Sequence, residues 1–133
     1  MNPLHPEIAR RAGYRCEYCL APEAIFNLPF EVEHIVPSAR GGASDSTNLA
    51  LSCRACNLFK SDRLRTVDNL TGEEVDLFDP RRQLWEEHFE VQADSGRIVG
   101  KTPVGRAMVA TLQMNRPHQL TARQQWIKLG LFP

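Results

Sequence analysis

The chain has 133 residues, with 16 basic and 16 acidic side chains and a formal net charge of zero, so it is not built to coat nucleic acid through bulk positive charge. Apolar residues make up 42% and charged ones 24%, a globular balance with no repeat or low-complexity tract, which excludes disorder as the default. No stretch approaches the roughly 18 to 20 apolar residues that a membrane span needs, and the N-terminus lacks an apolar signal core, so no membrane partner and a cytoplasmic location are expected.

Residues 6–13 predict a short helix: Pro6 suits the first turn, Ile8 and Ala12 fall at i and i+4, and Gly13 stops it. It leads to Cys16-Glu-Tyr-Cys19. In a reducing compartment, two Cys-x-x-Cys pairs are metal thiolates rather than disulfides, and each pair supplies half of a tetrahedral site. The other half is Cys53-Arg-Ala-Cys56, so Cys16, Cys19, Cys53 and Cys56 are the expected ligands of a structural zinc.

The 33 residues between the pairs exceed the usual spacing of a plain two-knuckle site, so something must fold there. Phe30 to Val36 alternates as a strand, with Phe30, Val32 and Val36 on one face, Glu31 and Glu33 on the other, and Pro37 as its end. Ser38 to Thr47 reads as a loop in which Gly41-Gly42 is free to take positive φ. Leu49 to Ser52 returns as a second strand, and Asn57 to Leu64 predicts a helix with residues 57, 60, 61 and 64 on one side. Strand, loop, strand and helix stapled by zinc make a ββα unit. From Cys53 to Arg65 there are four basic residues and one acid, which by itself describes a solvated helix face.

The second half carries no catalytic constellation, and its aromatics read as core. Val67 to Asp79 predicts a loop or short hairpin. Gln83 to Val91 has apolar positions at helical spacing, with a strand near Phe89 to Val91 as the alternative. Gly96 marks a turn, Arg97 to Gly100 a short strand, and Thr102-Pro103 a helix start with Thr as N-cap. A last helix follows Pro117 and stops at Gly130. The fold class expected is α+β, with a zinc-stapled core over residues 1–66 and a mostly helical accessory region over 67–133.

Between the cysteine pairs stand Glu33-His34-Ile-Val-Pro, Gly41-Gly42, Asn48-Leu49 and Cys53-Arg-Ala-Cys-Asn57-Leu-Phe-Lys60. This order resembles the zinc-stapled branch of the HNH endonuclease family, across roughly residues 10–65. The resemblance implies a ββα-metal fold and a metal-dependent endonuclease that hydrolyses DNA phosphodiester bonds. It implies His34 as general base, a role that neutral imidazole suits near physiological pH. It implies Asn48 as the residue that pins the loop and orients that base, and Glu33 and Asn57 as ligands of the catalytic ion. Their oxygen donors favour Mg²⁺ or Mn²⁺.

Arg40 and Lys60 are the expected nucleic-acid contacts, and a homodimer would serve double-strand cleavage. Glu stands where the family more often has Asp, and Asn57 where it more often has His. The alternative is a non-catalytic zinc-stabilised module that binds nucleic acid or protein.

Overall fold

The computed structural model describes residues 2–133. Helix α1 (His5–Arg11) has Pro6 in its first turn, and Gly13 follows it at φ 64°. Strand β1 (Glu31–His34) and strand β2 (Leu49–Ser52) form an antiparallel hairpin that pairs Glu33 with Ala50 and His34 with Leu49. Helix α2 (Arg54–Lys60) follows directly, with the Cys53 sulfur accepting from the Cys56 amide as its cap.

That helix starts three residues before the expected Asn57 and ends four residues before Leu64. The start is set by the cysteine cap, and the end by Ser61, which turns to φ 52°. Asn57 and Lys60 still share a side, as three-residue spacing requires.

Strand β1 is also shorter than the stretch expected, and its faces carry different loads. Ile35 N donates to Asn48 O at 2.9 Å, after which the chain leaves the hairpin and Val36 is exposed. On the opposite face Glu33 is buried against α2. Of the two loop glycines, Gly41 takes φ 87°, whereas Gly42 is demanded by space: a Cβ there would lie 1.8 Å from Val36 O.

Strand β3 (Arg65–Val67) and strand β4 (Glu74–Asp76) form a second hairpin. Helix α3 (Trp85–His88) is a single turn that passes into strand β5 (Phe89–Val91), which pairs with strand β6 (Ile98–Gly100). Both readings of the stretch 83–91 therefore hold, one after the other. Helix α4 (Pro103–Thr111) begins at the expected cap, where Thr102 Oγ1 accepts from Gly105 N at 3.0 Å. Helix α5 (Pro117–Lys128) ends before Gly130, at φ 73°.

Two hairpins thus stand beside the helices in the second half, and the first of them begins at Arg65, across the boundary expected after residue 66. Phe78, Phe89, Ile98, Met108, Leu112 and Met114 belong to the same buried cluster as Ile8, Tyr18, Leu49 and the cysteines. Each such apolar side chain contributes about 1.5–3 kcal/mol on burial, so the C-terminal elements are fastened to the stapled unit by shared core. Trp85 Nε1 also donates to Tyr18 O at 2.8 Å, and Glu17 pairs with Arg81. No helix of the described residues is long and apolar enough to cross a membrane.

Candidate active site and metal staple

The four cysteines converge as their spacing predicts. Cys16, Cys19, Cys53 and Cys56 are all buried and unbridged, and their sulfurs lie within 4.8 Å of one another. Cys19 Sγ and Cys53 Sγ are 3.7 Å apart. A tetrahedron with Zn–S bonds of 2.3 Å has an S···S edge of about 3.8 Å, so the donor type, number and spacing fit zinc. Between the first pair, Glu17 Oε2 accepts from Leu51 N at 2.9 Å, which fixes the first knuckle against β2.

Above the staple, the hairpin, loop and α2 collect the motif residues. His34 ends β1, partly exposed, with its Nε2 3.0 Å from Ser44 Oγ in the loop. Asn48 bonds across that loop: Nδ2 donates to Val36 O (3.0 Å) and Ala43 O (2.8 Å), and Oδ1 accepts from Val36 N (2.9 Å). One side-chain amide therefore closes the strand exit onto the glycine turn. This is the geometry by which Asn48 would set the position of His34.

Glu33 and Asn57 both face the hairpin–helix contact, yet each has another partner. Asn57 Nδ2 donates to Glu31 Oε2 at 2.9 Å, and Arg54 Nη1 lies 3.1 Å from Glu31 Oε1. Glu33 takes the Tyr18 hydroxyl on Oε1 and the Lys60 ammonium on Oε2, the latter at 3.0 Å. Burial pushes the Glu33 carboxyl above its ordinary range, against the pull of Lys60 and Tyr18. The buried Tyr18 hydroxyl is pushed well up by its own desolvation and by the carboxylate beside it.

Lys60, expected at a nucleic-acid surface, is wholly buried. Its three N–H groups have three acceptors: Glu33 Oε2 and the carbonyls of His34 (3.0 Å) and Ile35 (2.9 Å). A fully satisfied, desolvated ammonium has no donor left for phosphate, so the contact expected of it is corrected to an internal one. Arg40 does lie at the surface, where Nε donates to Asp62 O at 2.9 Å. The other bases of the run are largely engaged, Arg54 with Glu31 and Arg65 with Glu74 at 2.7 Å.

Sequence reasoning missed Tyr18 and Glu31. Tyr18 lies inside the first Cys-x-x-Cys and is fully buried, with its hydroxyl on Glu33. Glu31 precedes Glu33 by two, and that alternation was the available signal that both acids face α2.

Residues 16–63 match the family model described as HNH endonuclease. No curated protein and no solved structure matches the chain. The matched segment begins at the first zinc cysteine and ends just past Lys60, enclosing the staple, the hairpin, the glycine loop and α2. Over that segment the chain is similar to the HNH endonuclease family, and its four converging cysteines are consistent with the zinc-stapled form.

Proposed function

We propose that the protein is a metal-dependent endonuclease that hydrolyses DNA phosphodiester bonds, with His34 as the general base. The observation that carries this reading is the three-bond Asn48 clamp beside a partly exposed His34. Such a clamp holds an imidazole at a strand end without burying it, as proton abstraction from an attacking water requires. Ser44, 3.0 Å from His34 Nε2, occupies the position of a hydrogen-bonding partner that incoming solvent or substrate would replace.

Glu33 and Asn57 are the residues that would hold Mg²⁺ or Mn²⁺. Their oxygen donors suit a hard ion, while the Lys60 bond means that Glu33 serves it only in competition with an ammonium. When bound, the ion neutralises charge on the scissile phosphate and the departing oxygen. Arg40, on the glycine loop, is the surface cation available to the phosphate backbone. Lys60 contributes from inside, by fixing the carbonyls of His34 and Ile35.

The test is to offer duplex and single-stranded oligonucleotides of DNA and of RNA to the zinc-loaded protein with added Mg²⁺ or Mn²⁺. Cleavage of DNA that leaves a 5′ phosphate sustains the assignment. A folded, zinc-loaded protein that binds these DNAs and cuts none of them, with the same binding after Glu33 and His34 are replaced, would establish a binding module instead.

A further inference from the structure

Helix α1 reaches the Asn48 clamp from outside the segment that the family model matches. Its inner face, Ile8 and Ala9, is buried against the β1–β2 hairpin, which leaves Arg10 and Arg11 of its last turn at the surface. Among the described residues Arg11 pairs with no carboxylate. Its guanidinium is spent on two backbone carbonyls instead.

Those carbonyls bracket Asn48. Arg11 Nη1 donates to Ser46 O at 2.8 Å, and Nη2 to Leu49 O at 2.6 Å. Leu49 lies opposite His34, one step from the Ile35 N–Asn48 O bond. Bonded and non-bonded pairs alternate in an antiparallel ladder, so that step turns Leu49 O away from β1, toward the outer edge of β2. A planar fork from α1 therefore spans the short turn 46–48 and the start of the strand. Asp45 fastens the same turn, its Oδ1 accepting from Thr47 N at 2.9 Å and its carbonyl from Asn48 N at 3.0 Å. The backbone of Asn48 is held by Ile35 on the inside and by Arg11 across the outside, while its side chain closes Val36 onto Ala43.

We propose that Arg11 is a positioning residue for the cleavage reaction: it fixes the backbone on either side of Asn48 and, through Asn48, the strand end that carries His34. This role rests on the nuclease reading and deepens it. The competing role for an exposed arginine near a nuclease loop is a phosphate contact, and the two roles ask different things of the side chain. A phosphate contact needs the positive charge, which lysine keeps. Bridging Ser46 O and Leu49 O needs the fork, which lysine lacks.

The experiment compares the parent with Arg11→Gln, Arg11→Lys and Arg10→Gln, the last of which removes an equal charge from the same turn. Single-turnover cleavage of duplex DNA, a DNA-binding titration and amide exchange by NMR are measured on the zinc-loaded full chain. Both Arg11 variants should cleave about 10-fold more slowly with affinity within about twofold of the parent, and Arg10→Gln should cleave at the parent rate. Added to Asn48→Ala, Arg11→Gln should cost less than about twofold more, because residues that act through one another are not additive. A loss confined to affinity, a Lys variant that cleaves like the parent, or a full 10-fold loss on top of Asn48→Ala would overturn the proposal. The Val36 amide, bonded to Asn48 Oδ1, should exchange at least about threefold faster in both Arg11 variants, with the Leu112 amide of α4 unchanged. If the parent cuts no DNA, the nuclease reading fails and exchange decides alone whether Arg11 holds Asn48: unchanged exchange at Val36 would refute it.

Discussion

Lys60 Nζ lies 3.0 Å from Glu33 Oε2 with both side chains out of solvent, and the same ammonium holds the carbonyls of His34 and Ile35. A lysine that the motif places beside phosphate is thus the peg that fixes the end of β1 to α2. Removing one member of a buried pair leaves the other unpaired, at a cost of about 3–5 kcal/mol. Lys60→Met should lower stability by that amount in urea unfolding of the zinc-saturated protein. Pairing it with Glu33→Leu should restore part of the loss, because the orphaned carboxylate is removed too. A surface lysine would give no such loss, and its effect would fall on DNA binding.

Asn48→Ala should cut the cleavage rate by about 100-fold while leaving DNA affinity near that of the parent, since small displacements of a catalytic group have effects of that size. The three bonds it breaks hold the exit of β1, not a surface on which DNA would rest. Single-turnover kinetics beside a binding titration separate the two quantities. A drop in affinity with an unchanged rate would contradict the clamp.

Acid stability should depend on Asp68. The Arg106 guanidinium bonds both its oxygens, at 3.1 and 2.9 Å, and holds its carboxyl well below the ordinary range. For a depressed folded pKa, the stabilisation is present above the unfolded value of about 3.9 and is lost as pH falls below it. Asp68→Asn should therefore melt lower than the parent near neutrality, and the gap should narrow as pH falls below about 4. Thermal melts of both proteins across that window check the sign. A gap that is constant with pH would show that the ion pair does not supply it.

Chelation should unfold the protein beyond its first half. Structural zinc contributes on the order of 10–16 kcal/mol in small peptides, against about 5–15 kcal/mol for the whole stability of a domain. Because Trp85 bonds Tyr18 O inside the first knuckle, tryptophan fluorescence should report zinc loss along with circular dichroism. An unchanged spectrum after verified removal of zinc would contradict this.

Much of the frame was legible because it rests on local rules. The four-cysteine site follows from spacing, the hairpin from alternation, and α4 from Thr102-Pro103, all chain-adjacent signals. What escaped notice depends on which side of a short element meets another. Lysine and arginine usually belong to the surface, so nothing in the residue types marks Lys60 or Arg123 as internal. Their burial is decided by acceptors 25 and 27 residues away for Lys60, and 9 and 27 for Arg123. The exchange by which Asn57 meets Glu31 while Glu33 meets Lys60 arises the same way, from the register of α2 across β1. That register is set at the Cys53 cap, three residues earlier than helical periodicity suggested.

The most direct test of the catalytic assignment is nicking of supercoiled plasmid by the zinc-loaded protein with Mg²⁺, Mn²⁺ or no added ion, run beside His34→Ala. Nicking should require the added ion and fall by roughly 100-fold or more in the variant, the usual scale for a general base, with melting temperature and zinc content unchanged. Equal nicking by the two proteins, both folded and zinc-loaded, would contradict the role given to His34.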